Sequence, residues 1–480
     1  MSLVRISYIG LFLCLLSFKT FAQAPVVKTT GGYIRGVSEN GVSVFKGVPY
    51  AQPPVGGLRY MPPATHTPWT DTINVSSFGA QSMQPTGNKT SGSEDCLYLN
   101  IYTPAPDKGR RPVVIWVHGG SMTNGSGSGM NGHAFADRDG IVTITINYRL
   151  GALGFLYLGD IDKRYAKSGN LGLLDVVAAL KWIHENIAAF GGDPARVTLM
   201  GESAGAKLIS AVMVAPASKG LYQQAILESG SVQCIRDTTT ARNERSALLR
   251  QLGLDDPRQL LNIPADTLIR AQGKICAGIG GNSQFGPVYD GLTIPEDGYA
   301  ATRHLSGIRV LMGTNEDEAA LFISPNTDYS HVFTPLFRSN APLPYAYYQR
   351  QLRTDSPYAA AVKTLTQYMY QMHAYRFAKA LSDNGIPVWM YRFKYQGGRP
   401  FGARHSYELH YIWDADHSPL ALNMHGAWVS FIKTGNPPPQ WPRYVGTSKK
   451  IMVFDTTDTV ISLPAVYDDP GFPSAVFVIK

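Results

Sequence analysis

One serine of this chain lies at a point where an apolar strand is predicted to turn directly into a helix. The segment reads Met200-Gly201-Glu202-Ser203-Ala204-Gly205-Ala206. Arg196–Met200 is apolar and β-branched like a buried strand, and Ala206–Ala215 is typical of a helix. The glycines permit the sharp turn between them, so that Ser203 projects with its hydroxyl exposed. This arrangement indicates a nucleophilic serine, and it points the Ala204 N–H toward any oxyanion formed there.

Such a serine needs an acid as well as a base. A hydroxyl is inert at neutral pH until a base takes its proton, and that base needs an acid to orient it. On a parallel sheet the expected chain order is serine, acid, histidine. The predicted strand Ile308–Met312 runs into three carboxylates, Glu316, Asp317 and Glu318. Glu316 fits the description of an ordinary solvated loop residue. Spacing alone does not decide which of the carboxylates is the acid.

The base is expected on a later loop. The predicted strand Val388–Phe393 leads into a glycine-rich loop, and His405 follows it. Most single histidines are ordinary surface or core residues, so order and loop position alone favour His405. His410 and His417 remain its alternatives.

Backbone donors opposite Ala204 are expected from a second glycine-rich loop. The segment Trp116–Ser121 leaves a buried strand and enters glycines, where backbone approaches a ligand closely. A phosphate-binding loop is the alternative interpretation. No Lys-Ser or Lys-Thr follows these glycines, which argues against it.

The elements that must position these loops form an α/β pattern. Val113–Val117 and Ile141–Asn147 are unalternating apolar strands, as a sheet covered on both faces requires. Leu171–Phe190 carries apolar residues at helical spacing, and the Ser203 strand follows it. Strand, helix and strand make a βαβ unit. We predict a mostly parallel twisted sheet with helices on both faces, in one domain over residues 23–480.

The first residues have the composition of a cleavable secretory signal. Arg5 precedes an apolar run that ends at Phe18, and small residues follow near Ala22 and Ala24. We predict a signal peptide over residues 1–22, with cleavage at 24 also possible, and a secreted or periplasmic protein. No later stretch is apolar enough to cross a bilayer, which predicts a soluble mature chain without stable membrane insertion.

The charge of the chain bears on which classes of partner it binds. The net charge is +8, and removal of Arg5 and Lys19 with the leader leaves +6. The basic residues are scattered, which excludes a nucleic-acid patch. Lys207 follows the strand-to-helix turn at Ser203 and is interpreted as a solvated helix residue. The alternative interpretation is that Lys207 favours an acidic substrate. The sequence leaves the oligomeric state open.

The cysteines are expected to behave differently from one another. Cys14 would leave with the signal peptide. Cys234 and Cys276 flank one segment, and we predict a disulfide between them. Cys96 would then be a buried free thiol.

The chain as a whole resembles the type-B carboxylesterase and cholinesterase family of α/β-hydrolases, from about Val27 to the C-terminus. The matching segments are jointly specific; they are Gly47–Gly56, Glu94–Asn100, Asn147–Phe155, Gly169–Asp175, Phe190–Pro194, Gly201–Gly205, Asn315–Glu318, His405 with Glu408, and Ala427–Pro442. The resemblance implies an α/β-hydrolase fold and a serine esterase that needs no metal or cofactor.

The resemblance also assigns roles at the site. It implies Ser203 as nucleophile, His405 as base and Glu318 as acid. The implied oxyanion donors are Gly120, Ser121 and Ala204, and the implied substrate-lining residues are Gly119, Met122 and Glu202. It further suggests the ion pairs Arg59–Glu94 and Arg149–Asp175, and a Ser229 hydroxyl near the triad.

Three features depart from the family pattern: the oxyanion loop, the partner of Cys96 and one short loop. Ser121 stands where the family has a third oxyanion glycine, and Met122 where an aromatic residue follows. Ser82 stands at the position of the usual disulfide partner of Cys96, which leaves that cysteine single. The short loop 83–93 has no aromatic residue. Because cholinesterases hold a quaternary ammonium with a tryptophan from that loop, we predict no preference for choline esters.

We therefore predict a hydrolase that cleaves small-molecule carboxylic esters through an acyl-enzyme intermediate. An amidase, thioesterase or lactonase using the same triad is the main alternative. A non-catalytic binding relative of the same fold is the other, and such a relative would lack the nucleophile that this chain keeps.

Overall fold

The computed structural model describes residues 24–413 and 415–464 of the chain. The predicted signal peptide, including Cys14, lies outside the described residues. The signal peptide, the domain boundary at residue 22 and the exported location therefore stay predictions. No helix in the described part of the chain is long and apolar enough to span a bilayer.

Most strands belong to one eleven-stranded sheet with the order β16-β15-β14-β13-β12-β11-β9-β10-β8-β4-β3. A three-stranded sheet (β1-β2-β5) and a hairpin (β6-β7) lie outside it. The strands are β1 Val26–Lys28, β2 Tyr33–Arg35, β3 Val37–Glu39, β4 Val42–Pro49, β5 Ile73–Asn74, β6 Gln84–Thr86, β7 Lys89–Ser91, β8 Tyr98–Thr103, β9 Arg111–Val117, β10 Val142–Ile146, β11 Gly192–Glu202, β12 Gln224–Glu228, β13 Arg309–Asn315, β14 Val388–Phe393, β15 Lys450–Phe454 and β16 Thr459–Ser462.

Helices cover both faces of the large sheet, as predicted for an α/β fold. They are α1 His133–Asp139, α2 Gly151–Phe155, α3 Leu171–Asn186, α4 Ala204–Met213, α5 Thr238–Leu252, α6 Ala265–Ile275, α7 Phe333–Phe337, α8 Pro342–Gln351, α9 Pro357–Thr366, α10 Met372–Asp383, α11 Leu409–Ile412 and α12 Pro419–Thr434. Among the described residues, the two largest apolar clusters pack one against each face of the sheet.

The seven strands from β10 to β15 in the middle of the sheet are mutually parallel, and antiparallel strands close both ends. The central strands are buried throughout because helices cover both faces. The carboxyl ends of β9, β11, β13 and β14 share one edge. The loops that carry the predicted site residues all leave this edge.

Two predicted helices differ from those observed. The helix predicted over Leu171–Phe190 is α-helical to Asn186, and a 3₁₀ turn over Ile187–Phe190 completes it. Gly191 ends the turn with φ of 79°, a conformation that glycine adopts without strain. The sequence also predicts a helix near Ala360–Leu381, and the structure divides this stretch into α9 and α10 by a π-helical turn, Gln367–Gln371.

The predicted Cys234–Cys276 disulfide is corrected by the structure, because both cysteines are free among the described residues. Cys234 Sγ donates to the backbone oxygen of Lys207 at 3.4 Å, whereas Cys276 lies at the end of α6. A bridge would require the two sulfurs to approach to about 2 Å. Cys96 is a buried free thiol, as predicted, and burial raises its pKa to about 12.

Both ion pairs that the family resemblance suggested are formed. Arg149 lies 2.7 Å from Asp175, with both side chains buried. Arg59 pairs with Glu94. Arg149 also donates to the backbone oxygen of Met61 at 2.8 Å, so the pair connects the segment between β4 and β5 to α3.

Candidate active site

Ser203 lies in the strained turn that the sequence predicted. β11 ends at Glu202 and α4 begins at Ala204, which leaves Ser203 alone between them with φ of 54° and ψ of −119°. A non-glycine residue in this region is uncommon and marks a functional constraint. At Gly205 an added Cβ would collide with the carbonyl of Val117, so only glycine fits where α4 crosses the end of β9.

The glycine loop after β9 packs directly against this turn. An added Cβ at Gly119 would lie 3.2 Å from Ser203 Cβ and 2.9 Å from a carboxylate oxygen of Glu202. Gly120, Ser121 and Met122 follow with φ of 102°, 56° and 60°. The backbone thus keeps the left-handed conformation at Ser121, where the family has glycine. A residue with a side chain costs about 1–2 kcal/mol there.

Glu318 is fully buried and held by donors on both carboxylate oxygens. Ser229 Oγ donates to Oε1 at 2.6 Å, and the Asn315 N–H donates to the same oxygen at 2.8 Å. His405 Nδ1 donates to Oε2 at 2.5 Å. The Ser229 hydroxyl therefore lies beside the predicted triad, as the family resemblance implied.

His405 is buried, with one ring nitrogen bonded and the other unpaired. Its Nε2 has no hydrogen-bond partner among the described residues. Glu202 Oε1 lies 3.1 Å from Nε2, and the two atoms are not aligned for a hydrogen bond. Since Glu202 precedes Ser203, the unpaired nitrogen lies beside the turn. A buried polar atom without a hydrogen-bond partner is uncommon in proteins, and a catalytic role is one explanation for it.

The charge around His405 favours its protonated form. Burial opposes protonation, but the carboxylates of Glu202 and Glu318 outweigh it and raise the pKa of His405 to about 9. Burial also raises the pKa of Glu202. Glu408 adds a further carboxyl group, whose pKa burial raises to about 8. The pocket is therefore built to stabilise an imidazolium.

The three carboxylates after β13 have three different partners. Glu316 pairs with Arg392 at 3.0 Å and is half-exposed. Asp317 accepts a hydrogen bond from Gln396 Nε2 at 2.8 Å. Only Glu318 of the three bonds to His405. The geometry brings together the acid and the base that the family resemblance implied.

The alternative histidines lie elsewhere. His410 Nε2 is 3.0 Å from Asp416, and its side chain is exposed. His410 and His417 both line a separate surface cleft together with Trp413. Of the three candidate histidines, His405, which chain order and loop position favoured, is therefore the one that contacts a buried carboxylate.

Sequence reasoning missed the aromatic walls of the site. The Tyr370 ring lies 4.8 Å from the His405 ring, and the Phe322 ring lies 5.2 Å from it. Tyr370 belongs to the π-helical turn Gln367–Gln371. Such turns are rare and often occur at functional sites. Nothing in the apolar helical pattern of the sequence distinguishes Tyr370 from a core tyrosine.

A buried carboxyl group on β12 was also missed. Glu228 ends that strand and accepts a hydrogen bond from Trp428 Nε1 at 2.7 Å. Burial raises its pKa well above the usual value. A glutamate at the end of an otherwise apolar strand, directly before Ser229, was the available signal.

Comparison with known proteins identifies extensive similarity along the chain. A model of the carboxylesterase family matches residues 23–465. Para-nitrobenzyl esterase of Bacillus subtilis (strain 168) is 34% identical over 485 residues, covering 92% of this chain and 96% of that protein. Phenmedipham hydrolase of Pseudarthrobacter oxydans is 33% identical over 481 residues, covering 89% and 94%. The crystal structure of the carboxylesterase EST55 of Geobacillus stearothermophilus superposes with a TM-score of 0.81 at 37% identity, covering 93% of this chain and 100% of that one.

Proposed function

Since the chain belongs to the carboxylesterase family and is a carboxylic ester hydrolase, we propose that Ser203, His405 and Glu318 form its catalytic triad. Ser203 Oγ attacks the ester carbonyl while His405 Nε2 takes its proton. The imidazolium then gives that proton to the departing alcohol oxygen, which leaves an acyl-serine. Water attacks the acyl-serine with His405 again as base, and the acid is released.

The unpaired Nε2 of His405 is the observation that carries this proposal. Its Nδ1–H is fixed on Glu318 at 2.5 Å, which sets the tautomer in which Nε2 accepts a proton. The buried Nε2 makes no hydrogen bond in the described part of the chain, and it lies 3.1 Å from Oε1 of Glu202, the residue that precedes Ser203. Hydrogen bonds to the nucleophile are often long until substrate binds.

The oxyanion would be held by the backbone N–H groups of Gly120, Ser121 and Ala204. Gly119 lies against Ser203 and brings this loop over the nucleophile. Ser121 has a positive φ, which is the conformation that glycine adopts most easily. This supports the proposal that the backbone at Ser121 follows the same path as the glycine of the family pattern. Donors placed where charge develops are worth about 10²–10³ in rate each. Gly119, Met122 and Glu202 are proposed to line the substrate site.

A fluorophosphonate probe together with matched substrates tests the reaction class. We expect the probe to label the enzyme stoichiometrically at Ser203, because an activated serine is needed for attack on phosphorus. We expect kcat/KM for a 4-nitrophenyl ester to exceed that for the matched 4-nitroanilide by orders of magnitude. Labelling together with equal or better anilide turnover would favour the amidase alternative. Absence of labelling and of turnover would contradict the triad.

The pH dependence of kcat/KM tests the environment of the base. His405 must be neutral to accept the serine proton, and it is protonated below its pKa of about 9. We therefore expect kcat/KM for a neutral ester to fall as the pH decreases below that value. Replacing Glu202 by glutamine removes one carboxylate beside Nε2 and should move the midpoint to lower pH. A midpoint at the ordinary histidine pKa in both proteins would contradict this account.

A further inference from the structure

Lys207 lies in the first turn of α4, four residues after the proposed nucleophile. The Lys207 N–H donates to the Ser203 carbonyl at 2.9 Å, the first turn of α4. Side chains on a helix lean toward its N-terminus. The Lys207 side chain therefore leans toward the end of α4 at which Ser203 lies.

The ammonium group of Lys207 lies over the aromatic wall of the site. Nζ is 5.3 Å from the centre of the Tyr370 ring, and that ring is 4.8 Å from the His405 ring. The π-helical turn that carries Tyr370 is what presents the ring to both groups. A cation over an aromatic face is stabilised by about 0.5–2 kcal/mol.

This cation has no direct carboxylate partner among the described residues, although its side chain is partly buried. Glu202 and Glu318 attract it only at longer range, and burial lowers its pKa. A half-buried ammonium without an ion-pair partner is costly to maintain. An anion entering the site would remove that cost.

We propose that Lys207 is a specificity residue that binds a carboxylate on the substrate, so that this esterase prefers esters carrying a second, anionic group. The proposal rests on the triad proposed above. The ammonium lies over the Tyr370 ring, and that ring lies against the ring of His405. The anionic group would therefore lie a few bonds from the ester carbonyl.

The charge of the neighbouring cleft agrees with an anionic substrate. A cleft of about 560 Å³ opens at Ser121 of the proposed oxyanion loop and is lined by Lys89, Arg270 and Lys274. Arg270 is partly neutralised by Asp266 at 2.6 Å. A surface of one sign beside a site attracts ligands of the opposite sign.

Lys207 has a second possible use, which is to offset the negative charge of the carboxylates around His405. That role would act on the triad itself and would affect every ester alike. A role in binding the substrate would instead change the ratio between anionic and neutral esters. The ratio of the two kcat/KM values, measured in one protein preparation, therefore separates the two roles.

The experiment compares 4-nitrophenyl hydrogen glutarate with methyl 4-nitrophenyl glutarate, which differ only in the terminal carboxylate and its methyl ester. A second pair carries the charge on the leaving group: 4-carboxyphenyl pentanoate against its methyl ester. Both pairs are assayed with the wild type, Lys207→Met, Lys207→Arg and Lys219→Met. Lys219 is an exposed lysine after α4 and serves as the matched control.

We expect the wild type to prefer the anionic member of one pair, and the pair identifies the side on which the carboxylate binds. Lys207→Met should reduce that anionic-to-neutral ratio by about tenfold or more, while Lys207→Arg and Lys219→Met retain it. A ratio that Lys207→Met leaves unchanged in both pairs would overturn the proposal. Absence of turnover of both neutral esters by the wild type would instead contradict the proposed triad.

Discussion

Replacing Ser203 by alanine is expected to lower kcat for a 4-nitrophenyl ester by about 10⁴- to 10⁶-fold, because the variant has no atom to form the acyl-enzyme. The residue forms the whole connection between β11 and α4. Alanine adopts the same φ of 54° at a similar cost, so the turn should be kept. We therefore expect far-UV circular dichroism and the thermal midpoint to remain close to those of the wild type.

Ser246→Ala on α5 provides the matched control. That hydroxyl donates to the backbone oxygen of Arg242 within its own helix, remote from the turn. The control should keep wild-type turnover, and it should still be labelled by a fluorophosphonate, whereas Ser203→Ala should not. Turnover by Ser203→Ala near that of the control would mean that another group attacks the ester.

The strained turn at Ser203, the proposed nucleophile, was predictable from local sequence because the constraint itself is local. A strand that becomes a helix within one residue needs glycine where the helix crosses the next strand, and Gly205 meets the Val117 carbonyl at that crossing. The parallel order of the later strands follows from the βαβ pattern. It placed Glu318 and His405, the proposed acid and base, at one edge of the sheet before any contact was known.

The choice among the carboxylates was not predictable from spacing, because it depends on partners far along the chain. Arg392 on β14 engages Glu316, and Gln396 in the next loop engages Asp317. Glu318 is fully buried, and Ser229 and Asn315 donate to its carboxylate. The family resemblance supplied that assignment, and the structure supplies its physical cause.

The aromatic wall and the cation beside it were beyond sequence reasoning for a different reason. Lys207 on α4 reads as a solvated helix residue until Tyr370 is seen to cover it. Tyr370 takes that position only because a π-helical turn interrupts a continuous helical pattern. The disulfide prediction was wrong for a similar reason. That Cys234 and Cys276 flank one segment of the sequence does not determine where their side chains point.

Replacing Glu318 by glutamine should lower kcat by about 10³- to 10⁴-fold while the protein remains folded. The carboxylate now accepts from Ser229 and Asn315 at Oε1 and from His405 at Oε2. With the glutamine oxygen still meeting the first two donors, its NH₂ group would face Nδ1. His405 would then have to accept at Nδ1 and carry its proton on Nε2, where it can no longer take the serine proton.

Glu316→Gln is the matched control, because it makes the same chemical change two residues earlier on a half-exposed side chain paired with Arg392. We expect that control to keep wild-type kcat and the wild-type pH midpoint. Glu318→Gln should also move the pH midpoint of its residual activity downward, since one of the three carboxylates that raise the pKa of His405, those of Glu202, Glu318 and Glu408, is gone. Equal losses in the two variants would show that charge near the end of β13, rather than the tautomer of His405, governs the rate.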